Sequence, residues 1–348
     1  MKHPIEIPKT ICLLRLSAIG DVLHALPVVR TIQDTWPDTA ITWIIGKVEY
    51  SLVRDVQGIE FIVFDKSKGF SAQKDIFKKL KHRKFDVLML MQYSLRAHIV
   101  SLAVKAGVRL GYDNARSKDL HRYFVNKKIP ANNQHVMDSF FSFIETLGIN
   151  KKLLKWDIPI SDEDDNFATN ICNNKPTLLI SPCSSHLIRS WNVNGYAEIA
   201  DYAVEKYDMQ VLLTGSRKKE EIKMATDIQQ TMKSTAINLA GKTNLKQLLA
   251  LVSHSKAVLT PDSGPGHMAT ATGIPAIGLY AATNPARARP YLSEQWCVDK
   301  YDEVAHKFLQ KSATEIKWGT KIESEGAMDL IQVSDVMNKL DKVMSIEN

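Results

Sequence analysis

Short apolar runs alternate with amphipathic stretches twice along this chain, and an acidic, proline-bounded segment parts the two series. In the first half the apolar runs at 11–16, 41–45, 61–64 and 87–90 read as strands. The stretches at 21–33, 50–56, 71–82 and 96–106 read as helices, with a further one at 135–147. The pattern restarts with strands at 177–181, 211–214, 257–260 and 276–280 and helices at 194–207, 218–232, 245–253 and 264–272. Strands that read as continuous apolar runs between helices are those of parallel sheets covered on both faces. The expected fold is α/β, with two Rossmann-like doubly wound domains that face a central cleft. The expected boundaries are 1–155 and 177–325, with an interdomain segment at 156–176. The remainder, 326–348, holds a helix at 334–344 that can pack back on the first domain.

Where such strands end is where ligands bind. Two loops stand out there, about 240 residues apart: Ser17-Ala-Ile-Gly-Asp21 and Pro261-Asp-Ser-Gly-Pro-Gly-His267. Each leaves an apolar run and opens a helix, so backbone N–H groups and a helix dipole point at whatever lies beyond. Asp21 has two readings. It either caps its helix, or it is a general base that takes a proton from an attacking alcohol. His24, one turn on, reads as a core or surface residue rather than a catalyst, and Pro27 is placed to kink the helix. In the second loop, Gly264 and Gly266 leave room for close backbone approach, Ser263 adds a hydroxyl, and a diphosphate is the guest that fits. Asp262 suits sugar hydroxyls, or orienting the loop, better than phosphate. The alternative is a plain tight turn. Ser184 and Ser185 follow another strand end, and Arg189 can hold phosphate oxygens bidentately. Glu220 and Glu221 lie beyond Thr214-Gly215-Ser216, where a carboxylate holds ribose hydroxyls in nucleotide folds.

Composition narrows the classes. At 348 residues the chain exceeds one average domain. No apolar run reaches the roughly 18 residues of a membrane span, and the first eight residues lack a leader's apolar core. Cys12, Cys172, Cys183 and Cys297 are scattered, as free thiols of a reducing cytoplasm are. No Asp-x-Asp pair appears near these loops and no His/Cys cluster has ligand spacing, so no essential metal is expected. No lysine follows the glycines in the manner of a triphosphatase loop. Of the net charge of +7, the excess lies wholly before residue 151 and peaks over 66–84, where eight basic residues meet one acid, Asp75. Such a cluster attracts a polyanion or is simply a solvated helix face. No nucleic-acid motif accompanies it, and no nucleic-acid partner is expected.

Taken together, Ser17-Ala-Ile-Gly-Asp21-Val-Leu-His24-Ala-Leu-Pro27, Leu239-Ala-Gly-Lys-Thr243 and Thr260-Pro-Asp-Ser-Gly-Pro-Gly-His267 resemble the ADP-heptose:lipopolysaccharide heptosyltransferases of glycosyltransferase family 9. Arg109-Leu-Gly-Tyr-Asp and Tyr280-Ala-Ala-Thr-Asn-Pro are most similar to the heptosyltransferase I branch. The resemblance implies a GT-B enzyme whose first domain binds the Kdo region of lipid A and whose second binds ADP-L-glycero-D-manno-heptose. It implies inverting transfer with no cofactor or essential metal, in the cytoplasm, in peripheral contact with the inner leaflet of the inner membrane. It makes Asp21 the catalytic base. Ser184, Ser185, Arg189, Glu221, Asp262, Ser263, Gly264, Gly266 and His267 become donor contacts, with the choice of Glu221 over Glu220 left open. Ser17, Gly20, Lys66, Lys68 and Arg116 are the expected acceptor contacts. Arg189 stands where related enzymes often carry lysine.

Overall fold

The apolar runs become buried parallel strands, and their polar-faced partners become the helices that cover them. The computed structural model describes residues 6–117 and 120–346. Residues 1–5, 118–119 and 347–348 lie outside that range. The chain divides into two units at Pro159 and Ile160.

The first unit runs β1 (Thr10–Leu14), α1 (Ile19–Thr35), β2 (Ala40–Gly46), α2 (Lys47–Val53), β3 (Glu60–Phe64), α3 (Phe70–Leu80), β4 (Lys84–Leu90), α4 (Leu95–Ser101), β5 (Lys105–Gly111), β6 (Lys127–Lys128) and α5 (Val136–Thr146). All its strands are parallel, in the order β3-β2-β1-β4-β5-β6. That is the Rossmann order, whose direction reverses between β1 and β4 and opens a crevice there. Apolar side chains from β1, β4, α3 and α4, among them Cys12, Leu88, Ile76 and Val100, pack one face.

Helix α1 carries Pro27 without breaking. Proline has no N–H for the carbonyl of Leu23 one turn earlier. The indole N–H of Trp156 fills that vacancy at 2.8 Å, and the N–H of Leu153 bonds the Thr31 hydroxyl at 3.0 Å. The segment after α5 thus splints α1, and residues 156–159 belong to the first unit rather than to a free connector.

The second unit runs α6 (Asp162–Cys172), β7 (Thr177–Ile180), α7 (Val193–Tyr207), β8 (Gln210–Leu213), α8 (Lys219–Thr231), β9 (Ile237–Asn238), α9 (Leu245–Ser253), β10 (Ala257–Pro261), α10 (Gly264–Thr272), β11 (Ala276–Tyr280), α11 (Pro285–Ala288), β12 (Val298–Asp299), α12 (Tyr301–Leu309) and α13 (Val333–Met344). Its parallel sheet, β12-β11-β10-β7-β8-β9, repeats the topology of the first, with the reversal between β7 and β10. Helix α6 packs on α9. Helix α13, whose place at the chain end also allowed packing on the first domain, belongs to the second unit. It buries Val336, Leu340 and Val343 in the second core, and Asp341 accepts hydrogen bonds from Tyr202 and Tyr207 of α7. The four cysteines are free and buried, as their spacing implies.

Gly46 closes β2 at the crevice of the first sheet. A Cβ there would collide with the Leu16 carbonyl oxygen and the Glu49 carboxylate. Backbone cannot yield as a flexible side chain can, so Gly46→Ala is expected to cost about 1–3 kcal/mol. Thermal denaturation reads this as a drop of several degrees, with loss of transferase activity as the Leu16–Asp21 loop shifts.

Candidate active site

At the first crevice the chain leaves β1 through Arg15 and Leu16, and leaves β4 through Met91 and Gln92. Arg15 is buried. A buried guanidinium needs partners. It donates to the Met91 carbonyl and the Asp21 carboxylate, and lies 5.4 Å from the centre of the Phe140 ring. Asp21 is the third residue of α1, not its cap. Ala18 holds that place, and its N–H returns to Asp21 Oδ2 at 3.3 Å. The carboxylate ties the first turn and stays partly exposed beside a fixed cation. The Leu16 N–H donates to Gln92 Oε1 at 2.8 Å, and Gln92 Nε2 reaches Ser17 Oγ at 3.5 Å, so the two strand ends are laced together.

Glu49, in the first turn of α2, joins this group. Burial raises its carboxyl above the usual glutamate range and Asp21 adds to the rise, while its own backbone hydrogen bond, Lys66 and Arg15 oppose it. Tyr112 stands edge-on to Tyr93 at 5.2 Å, and the fields of Arg15, Asp21 and Arg116 all fall on its phenol, which burial raises most. Arg116 is committed to structure: it pairs with Asp113, donates to Ser139 Oγ at 2.8 Å and lies 5.8 Å from the Tyr112 ring centre. Lys68 pairs with Asp75 at 3.3 Å across exposed surface, a contact that costs little to break. His24 is a core residue edge-on to His135.

The second crevice gathers the other set. Ser184 Oγ donates to the Asp262 carbonyl at 3.0 Å, which joins the loop after β7 to the loop after β10. Ser263 precedes α10, and its hydroxyl bonds Thr260 Oγ1 at 2.6 Å. Arg189 is 3% exposed. Its Nη2 donates to Ser185 Oγ at 2.6 Å, and it lies 3.9 Å from Asp262 and 3.2 Å from Glu323. Lys321 completes the cluster. Desolvation, then the Arg189 charge, hold its ammonium below the usual lysine value, against the pull of Asp262 and Glu323. His267 is buried in α10. Gly266 is closely packed: a Cβ would press on Pro290 and Thr260 at 3.0 and 3.1 Å. Between the two glutamates, Glu221 turns to the strand-end loop and accepts from the Ser216 N–H at 2.7 Å, while Glu220 is exposed. Among the described residues no group of three His, Cys, Asp or Glu side chains is placed to hold a metal ion.

Arg15, Glu49, Gln92 and Tyr112 on one side, and Lys321 and Glu323 on the other, escaped sequence reasoning. Arg15 did leave a trace, as the one charge in the apolar run 11–16.

Residues 74–343 match glycosyltransferase family 9 (heptosyltransferase). The chain belongs to that family. It is 42% identical over 340 residues to the lipopolysaccharide core heptosyltransferase OpsX of Haemophilus influenzae, across 97% of this chain and 98% of the relative. The fold matches a family 9 glycosyl transferase of Veillonella parvula with TM-score 0.79 at 21% identity, over 97% of both chains. It matches Escherichia coli ADP-heptose heptosyltransferase II with TM-score 0.73 at 19% identity, over 96% of this chain and 98% of that one. The architecture is thus that of the GT-B heptosyltransferases, and the protein is a glycosyltransferase.

Proposed function

We propose that this chain transfers L-glycero-D-manno-heptose from ADP-heptose to the Kdo region of lipid A during lipopolysaccharide core synthesis, with inversion and without an essential metal. The observation that carries the reading is the Asp21 carboxylate held by Arg15 at the switch point of the first sheet. Its counterpart is Ser184, Ser185, Arg189 and the Asp262–His267 loop at the equivalent point of the second. The identity to a lipopolysaccharide core heptosyltransferase supports heptosyl transfer within the lipopolysaccharide core.

Inversion is a single displacement. The acceptor hydroxyl oxygen forms a bond to the anomeric carbon, and the bond from that carbon to the β-phosphate oxygen breaks. ADP leaves with the electron pair, and Asp21 takes the hydroxyl proton. The β-phosphate gathers charge as it departs. Arg189, Lys321, the hydroxyls of Ser184 and Ser185, and the first N–H groups of α10 are the donors that meet it. Glu221 holds the ribose. The acceptor is anionic and lipid-borne, and the basic first unit attracts it to the cytoplasmic face of the inner membrane.

Mass spectrometry of products from ADP-heptose and defined Kdo–lipid A acceptors, in chelator-treated buffer, is the direct test. One added heptose on the Kdo acceptor is expected. Transfer only to an acceptor that already carries heptose would move the enzyme to a later step of the core. Calorimetry with ADP, UDP and GDP is expected to select ADP.

Charge reversal at Lys66 and Lys68 tests the acceptor side. The acceptor KM is expected to rise while the donor KM holds, and the salt dependence of acceptor binding should flatten. An unchanged acceptor KM at low salt would make these lysines a solvated face.

A further inference from the structure

Helix α3 hides one face and shows another. Ala72, Ile76 and Leu80 are buried. Phe70, Lys74, Phe77 and Lys81 follow at helical spacing on the opposite side, with Phe70 85% and Phe77 43% exposed. An amphipathic helix has no need of phenylalanine on its wet side, and large exposed apolar groups in a patch mark a contact surface. The neighbouring α4 packs on α3 and repeats the device. Leu95 and Leu102, seven residues apart, are each 58% exposed. Phe70 and Leu95 both sit at helix N-termini that follow strands, hence at the carboxyl edge of the sheet where Asp21 lies.

We propose that the outward face of α3 and α4 is a docking surface for an anionic lipid bilayer. Its phenylalanines and leucines enter the headgroup–acyl boundary, and its lysines pair with lipid phosphates. The occupant follows from composition. Apolar rings interleaved with cations on one helix face, with eight basic residues and one acid over residues 66–84, match a surface that is oily within and negative at its rim. An acidic protein would meet the lysines but leave the rings unexplained. The proposal rests on the lipid-borne acceptor proposed above and gives the enzyme its seat: the edge that carries Asp21 faces the leaflet that holds the acceptor.

Co-sedimentation of the full-length protein with vesicles tests this. Binding is expected to phosphatidylcholine vesicles containing phosphatidylglycerol, to weaken with salt, and to be poor on phosphatidylcholine alone. Phe70→Ser with Phe77→Ser is expected to lower the partition coefficient at least about tenfold while melting temperature and transfer to a deacylated soluble acceptor hold. Lys74→Glu with Lys81→Glu should lower it by a similar factor at low salt only. Phe70→Trp should give emission that brominated lipids quench. Wild-type-like binding by the serine variant, failure of the wild type to bind anionic vesicles, or an unquenched tryptophan would overturn the proposal. Absence of transfer by the wild type to any acceptor would instead sink the heptosyl-transfer reading, and the vesicle result would stand apart from it.

Discussion

Asp21→Asn is expected to lower turnover by at least about a hundredfold, the usual scale of a lost general base, with ADP affinity unchanged. Asparagine keeps the shape of aspartate and its bond from the Ala18 N–H, but an amide cannot accept the acceptor's proton. The substitution also strips a buried cation of its counter-charge. Arg15 keeps the Met91 carbonyl and the Phe140 ring but loses its ion pair with Asp21. Breaking a fully buried pair costs about 3–5 kcal/mol. Asp21 retains 29% side-chain exposure, so a loss of roughly 1–3 kcal/mol is expected here. The two effects separate in a double variant. Arg15→Met with Asp21→Asn should regain much of the melting temperature and none of the turnover. Near-wild-type turnover of Asp21→Asn would remove the base assignment and leave the carboxylate a purely structural group.

Arg189→Ala is expected to cut kcat by about a hundred- to a thousandfold, and to weaken binding of intact donor much less. Donors aimed at developing charge act chiefly in the transition state. Arg189 is buried and fixed by Ser185 at 2.6 Å and Glu323 at 3.2 Å, so little reorganisation is needed when charge moves to the β-phosphate. Arg189→Lys keeps a cation between Asp262 and Glu323 and should recover activity to within about tenfold of the wild type, since a point charge serves where a fork is not essential. Removing the charge altogether leaves those two carboxylates to be offset by Lys321 and Arg287. His267→Ala should lose less. Full activity of Arg189→Ala in chelator-treated buffer would reject the clamp, and rescue by magnesium would assign the leaving-group charge to a metal.

Much of this was legible in residues. Buried parallel strands announce themselves as continuous apolar runs, and eight of the twelve were found that way. Strand β5 is hidden because Lys105-Ala-Gly-Val-Arg-Leu-Gly111 alternates and carries two glycines, so the helical pattern before it reads on to residue 106 whereas α4 stops at Ser101. Strands β6, β9 and β12 have two residues each, too few for any period to show. Asp21, Ser184 and Asp262 were found because a polar residue just after an apolar run marks a sheet's carboxyl edge. Glu49 was missed because nothing local distinguishes it. It matters only through its place beside Arg15 and Lys66. Lys321 and Glu323 come from a stretch without period, brought to Arg189 by an antiparallel bridge between Thr283 and Lys321.

The repeated strand order has a consequence for how the protein comes off the ribosome. In each sheet the central pair joins strands far apart in sequence, Ile11 with Val87 and Ala257 with Leu178. Neither crevice exists until its fourth strand has emerged. The first unit closes at Pro159, however, and needs nothing downstream for its own sheet. At ordinary synthesis rates the residues from Ile160 to the end take on the order of tens of seconds to follow. During that interval the half that carries Asp21 can be folded, with its lysine- and phenylalanine-bearing helix α3 formed, before the second unit exists.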